Sequence, residues 1–237
     1  MTAFESQVTV AGQAMDLYAN RPQDGSGPLA AVVVIQHAPG VDEFTRAMTD
    51  RLAEAGYHAV APDLYHRQSE PGGPLERMGR LKDKEVIADV NATVDALRDE
   101  SGVDGERIGI VGFCMGGRVT YMMAAVNPHL KAAVAFYGGN IMKPWGEDVP
   151  APFDRTADIA CPLLFHFGAD DTNPSPEDRR RLDEALSRAG KSHEFHEYAG
   201  AGHAFMNFTS EERYRPDAEL AAWPRTLEFL ERHLGGA

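Results

Sequence analysis

The stretch Arg107-Ile108-Gly109-Ile110-Val111-Gly112-Phe113-Cys114-Met115-Gly116-Gly117 runs from a short apolar segment through a glycine-flanked cysteine into an amphipathic one ending near Val126. It reads as strand, sharp turn, helix. A nucleophile raised on such an elbow has a strained backbone, and side chains two positions to either side would collide with the turn. Gly112 and Gly116 remove those side chains. A thiol stands where a serine would be expected. The bland alternative is a glycine-rich turn around an inert cysteine packed as a small hydrophobe.

Working outward, the chain alternates strand and helix patterns. Upstream lie Val8–Val10 and Met15–Tyr18 as a short β region, Ala30–Gln36 as an apolar run of the kind buried on both faces, and Tyr57–Ala61 as a further strand. Helical spacing covers Glu43–Ala55 and Lys82–Glu100, the latter with Val86, Val90, Val94 and Leu97 on one face. Downstream follow strands at Ala132–Tyr137, Pro162–Gly168 and Glu194–Tyr198, with helices at Pro176–Ala189 and Asp217–Leu234, the last expected to bend or restart at Pro224. The alternation predicts an α/β fold with a mostly parallel central sheet flanked by helices, and a single domain over residues 1–237. Asp63–Leu81 and Asn140–Ile159, both rich in Pro and Gly, are long irregular stretches. Following parallel strands, they are expected to rim a ligand site at the carboxyl edge of the sheet.

Composition narrows the function. The 237 residues carry a formal net charge of −13, which argues against nucleic acid and anionic membranes as partners. No apolar run approaches the length of a membrane span. Met1–Ser6 lacks the basic start and apolar core of a secretory signal, so a cytoplasmic location is expected. The two cysteines, Cys114 and Cys161, suggest neither a disulfide framework nor a Cys-rich metal site. His193 and His196, three apart on a strand, point to opposite faces, and no metal-binding motif appears. Neither a metal nor a cofactor is expected.

A thiol nucleophile needs a base, and the base needs an orienting group. Asp171 follows the strand Leu163–Phe167 in the turn Gly168-Ala169-Asp170-Asp171, where Asp170 is an equal candidate on composition; His203 follows the next strand in Gly200-Ala201-Gly202-His203-Ala204-Phe205. The order Cys114, Asp171, His203 is the nucleophile, acid, histidine order of α/β-hydrolases. The backbone N–H of Met115 and one from the His37–Ala38 turn are the candidate oxyanion hole.

With these residues and the segments Gly56-Tyr57-His58-Ala59-Val60-Ala61-Pro62-Asp63-Leu64-Tyr65, Phe136-Tyr137-Gly138-Gly139 and Pro162–Gly168 in hand, most of the chain resembles the dienelactone hydrolase (carboxymethylenebutenolidase) family of α/β-hydrolases. The resemblance implies Cys114 as nucleophile, His203 as base, Asp171 as its orienting acid, and Arg67 as an arginine that holds a substrate carboxylate, with Tyr137 also at the substrate site. Two departures stand out. The family's Gln-Glu-x-x-Gly segment is here Gln36-His37-Ala38-Pro39-Gly40, so His37 replaces a glutamate beside the nucleophile; it either favours thiolate as a cation or serves only through its backbone. A second carboxylate-binding arginine of the family corresponds here to about Asn207, which weakens carboxylate recognition. The resemblance implies hydrolysis of a small ester or lactone through a thioacyl-enzyme. A non-hydrolytic thiol protein on the same fold, redox-responsive or ligand-binding, is the alternative, but it leaves Asp171 and His203 unexplained. Oligomeric state is not fixed by the sequence.

Overall fold

The computed structural model describes residues 2–22 and 27–235. Eight strands form one sheet: β1 (Thr2–Val10), β2 (Gln13–Arg21), β3 (Leu29–Ile35), β4 (His58–Pro62), β5 (Val103–Phe113), β6 (Leu130–Phe136), β7 (Leu163–Gly168) and β8 (His193–Tyr198), in the spatial order β1-β2-β4-β3-β5-β6-β7-β8. The first two strands join antiparallel, and β2 pairs antiparallel with β4; from β4 through β8 every pairing is parallel. The N-terminal hairpin is longer than its apolar residues suggest. Strand β1 rests on backbone pairing along its full length with β2, and its alternating residues stay largely in contact with water.

The described residues form six α-helices, α1 (Glu43–Glu54), α2 (Pro74–Gly79), α3 (Asp83–Asp99), α4 (Met115–Val126), α5 (Pro176–Arg188) and α6 (Pro216–Leu234), all of which bury residues except the short α2. Alternation along β3 divides the core. Ala31, Val33 and Ile35 join the cluster holding Val86, Val90 and Val94 of α3 and Val119 of α4, whereas Val32 and Val34 join Phe44, Met48 and Leu52 of α1 and Phe229 of α6. Helix starts follow their residues: Asp42 caps α1 by accepting the Thr45 N–H at 3.1 Å, and Ser175 and Asp178 close a reciprocal cap on α5. The restart expected at Pro224 does not occur. Helix α6 continues through that residue, because Ala222 and Trp223 before it and Thr226, Phe229 and Leu230 after it are all buried, anchoring both sides of the missing N–H.

The two long irregular stretches each carry a short element. Asp63–Leu81 contains α2, and Asn140–Ile159 contains a 3₁₀ helix, Pro152–Asp158. None of the described helices is long and apolar enough to cross a membrane.

Candidate active site

Cys114 sits between β5 and α4 with φ 57° and ψ −116°, a left-handed conformation unusual for a residue with a Cβ. The flanking glycines are sterically required. A Cβ on Gly112 would lie 2.1 Å from the Gly116 carbonyl oxygen, and one on Gly116 would lie 2.3 Å from that of Ile35. The turn is fixed further by the Cys114 N–H donating to the Phe136 carbonyl at 3.0 Å.

The carboxyl ends of β7 and β8 bring the other two candidates to this sulfur. The exits of these strands approach so closely that a Cβ on Gly168 would stand 2.4 Å from the Ala201 oxygen. His203 Nε2 lies 3.1 Å from Cys114 Sγ, and His203 Nδ1 lies 2.8 Å from Asp171 Oδ2. Asp171 is buried and its other oxygen accepts the Asn173 N–H at 2.8 Å, so the carboxylate is immobilised on both sides. Asp170, the neighbour that composition could not separate from it, is exposed. Burial disfavours a charged His203, but hydrogen bonds to Asp171 and to the Cys114 sulfur outweigh it and raise its pKa to about 10. Cys161, by contrast, is buried away from this site and its thiol is pushed up to about 12 by desolvation.

Cys114, Asp171 and His203 open onto a cavity of about 390 Å³. Leu75 and Met78 from the first long stretch, and Asn140 and Trp145 from the second, line it as the loop lengths foretold. His37, Ala38, Met115 and Asn207 line it too. Met115 opens α4, so its N–H has no acceptor within the helix. The His37–Gly40 turn is closed by a Gly40 N–H to His37 carbonyl bond of 3.0 Å, and the Ala38 carbonyl accepts the Tyr65 hydroxyl at 2.7 Å. A second, polar depression of about 380 Å³, bordered by Glu5, Asp16, Asp42 and Asp63, contains none of the three candidate catalytic side chains.

The expected substrate-site side chains make these contacts. Arg67 is not in the cavity wall; its guanidinium is committed to the buried Asp89 carboxylate and to His66 Nε2, 2.7 Å away. Nothing in the sequence marks Asp89, 22 positions along on α3, as the partner that takes it. The His37 ring is buried and its Nε2 lies 2.8 Å from Asp42 Oδ1, with Phe44 packed on the ring at 4.9 Å. Burial tends to raise the Asp42 pKa, but hydrogen bonds from His37 and Thr45 win and hold it below the usual range. Tyr137 is wholly buried behind His203, its ring edge-on to the imidazole at 5.2 Å, and serves as backing rather than as cavity surface. The Asn207 side-chain oxygen accepts from the Thr209 N–H and hydroxyl, at 3.1 and 2.7 Å. Sequence reasoning did not single out Trp145 or Arg213, which also lines the cavity; both lie in irregular stretches without periodicity. His193 and His196 do face opposite sides of β8, the first beside Phe195 and Asp183, the second stacked on His166.

The family model described as "Dienelactone hydrolase family" matches residues 15–234. The chain belongs to the dienelactone hydrolase family. Among relatives of this dienelactone hydrolase family member is a protein of Escherichia coli (strain K12) named "Putative carboxymethylenebutenolidase", 35% identical over 94% of this chain and 84% of its own length. A Bradyrhizobium protein named "Probable 2-oxo-3-(5-oxofuran-2-ylidene)propanoate lactonase" is 34% identical over 89% of this chain and 87% of its own. The crystal structure of a "Putative Dienelactone Hydrolase" from Klebsiella pneumoniae superposes with a TM-score of 0.87 at 33% identity, covering 98% of this chain and 100% of that one. The eight-stranded sheet flanked by helices is the α/β-hydrolase architecture that the elbow predicts.

Proposed function

We propose that this dienelactone hydrolase family member hydrolyses small lactones or esters through a thioacyl intermediate on Cys114, with His203 moving protons and Asp171 orienting it. The observation that carries the reading is the continuous Asp171–His203–Cys114 hydrogen-bond chain, 2.8 and 3.1 Å, opening on the cavity. Cys114 Sγ passes its proton to His203 Nε2 and attacks the substrate carbonyl carbon, forming a C–S bond. The oxyanion is received by the Met115 N–H and an N–H of the His37–Ala38 turn. Each such donor contributes about 3 kcal/mol in hydrolases, and the α4 N-terminus adds to the preference for negative charge.

Collapse breaks the C–O bond, and His203 Nε2–H protonates the departing alkoxide, which in a lactone stays tethered to the acyl group. His203, now neutral, takes a proton from water as the water attacks the thioester; the C–S bond then breaks and the acid leaves. Asp171 holds Nδ1 protonated throughout. The names of the relatives, a carboxymethylenebutenolidase and a lactonase, favour lactones as the physiological class. Replacing Cys114 by Ala tests the mechanism: turnover of an activated aryl ester and of a lactone should vanish with the fold intact by circular dichroism. Retention of most native turnover would assign the chemistry elsewhere.

A further inference from the structure

Among the described residues Arg118 is the largest fully buried side chain, and the chemistry above does not use it. It lies one turn into α4, on the helix that carries the elbow. Its Nη1 and Nη2 donate to the two oxygens of Asp83 at 2.7 and 3.0 Å, a bidentate pair with both partners out of water. The remaining donors reach across to one loop: Nη2 to the Lys143 carbonyl at 2.6 Å and Nε to the Asn140 carbonyl at 3.3 Å. The guanidinium also lies 3.8 Å from the centre of the Trp145 ring. Asp83 completes the clasp, accepting the Trp145 N–H at 2.8 Å while its own N–H donates to the Trp145 carbonyl at 2.8 Å.

A buried ion pair is a poor way to gain stability, because desolvating both charges consumes most of the attraction, so its presence calls for a positional account. What this pair positions is the loop from Asn140 to Trp145, and both of those residues line the catalytic cavity. We propose that Arg118 is a positioning residue: through Asp83 and the loop carbonyls it sets the Trp145 wall of the cavity, which with Leu75, Met78 and Met115 selects substrates bearing an apolar, preferably aromatic, group next to the reacting carbonyl. The proposal rests on Cys114 as the reactive group of that cavity and adds a determinant of substrate class. A lysine at position 118 keeps the charge opposite Asp83, but it cannot donate to both loop carbonyls and present a flat cation to the indole at once.

The test compares native protein with Arg118→Lys and Trp145→Ala. Alkylation of Cys114 by iodoacetamide and by N-benzyl-iodoacetamide is followed by intact mass, with turnover of p-nitrophenyl acetate and p-nitrophenyl phenylacetate in parallel. Arg118→Lys should react with iodoacetamide and turn over the acetate within twofold of native, and Trp145→Ala is read as the ratio of its benzyl to parent rates. Both should lose at least fivefold in rate with the benzyl reagent and show at least a fivefold higher KM for the phenylacetate, with kcat little changed. Equal slowing with both reagents in Arg118→Lys, an unchanged benzyl-to-parent ratio, or a selective gain with the benzyl reagent would overturn the proposal. Should Arg118→Lys fail to fold, an unchanged ratio in Trp145→Ala, which leaves the ion pair whole, overturns it alone. Labelling requires no turnover, so selective labelling in a protein without esterase activity would sink the hydrolase reading and leave this one standing.

Discussion

Replacing Asp171 by Asn should reduce kcat by about three to four orders of magnitude while leaving the fold unchanged. The carboxylate oxygen lies 2.8 Å from His203 Nδ1, and at an effective dielectric of about 20 a full charge pair at that distance is attracted by about 6 kcal/mol. Asp171 is almost wholly buried, but the His203 side chain is 29% exposed, and solvent on that side takes roughly a third of the attraction. About 4 kcal/mol remains, or about 10³-fold at 1.36 kcal/mol per decade. A further loss follows from tautomer control. An asparagine amide that donates to Nδ1 places the ring proton on Nε2 without a counter-charge, and in the Ser-His-Asp template the equivalent change costs about 10⁴. The assay is steady-state hydrolysis of p-nitrophenyl acetate, with Asp170→Asn as the adjacent control, expected within twofold of native because that side chain is exposed. A variant Asp171→Asn keeping more than a tenth of native turnover, or an Asp170→Asn that falls as far, would refute the assignment of the acid.

The raised pKa of His203 fixes the sign of a stability effect: its favourable pairing is fully present below the ordinary histidine value of about 6.5 and is lost as pH rises through about 10. The melting-temperature advantage of native protein over His203→Ala should therefore be greatest below pH 6.5 and shrink toward pH 10; a constant gap would contradict it. Arg67→Ala should slow carboxylated and neutral lactones alike and destabilise the fold by about 3 kcal/mol in urea melts, since it strips a buried Asp89 of its guanidinium and leaves only His66 beside it. A KM effect confined to carboxylated substrates would restore Arg67 to the cavity. His37→Ala should leave the pH profile of Cys114 alkylation superimposable on native, because its Nε2 is engaged by Asp42, whereas Asp42→Ala should cost about 1 kcal/mol through the lost α1 cap.

The fold was legible because the residues that decide it act locally. Alternation and apolar runs placed β3 through β8 in order, and two glycines two positions from Cys114 permit a turn that the 2.1 and 2.3 Å approaches close to any larger residue. The restart expected at Pro224 does not occur, for the opposite reason. Its local cost is real, but contacts from residues distant in sequence hold the helix on either side, and no window of sequence contains them.

The same distinction separates the parts of the site. Cys114, Asp171 and His203 each follow a strand at the carboxyl edge of the parallel part of the sheet, so chain order together with strand context predicted that they would converge and which long stretches would overhang them. Arg67 and His37 stood at the expected places in the chain, yet each is claimed by a carboxylate, Asp89 from α3, 22 positions away, and Asp42, the cap of the next helix. Long charged side chains can reach several partners, so their roles depend on which acid the fold places within reach. Arg118 shows where that choice becomes functional. A sequence window sees only an arginine among helix residues, whereas in the fold its donors span from Asp83 at the start of α3 to the carbonyls of a loop, and through that loop they touch the cavity in which Cys114 lies.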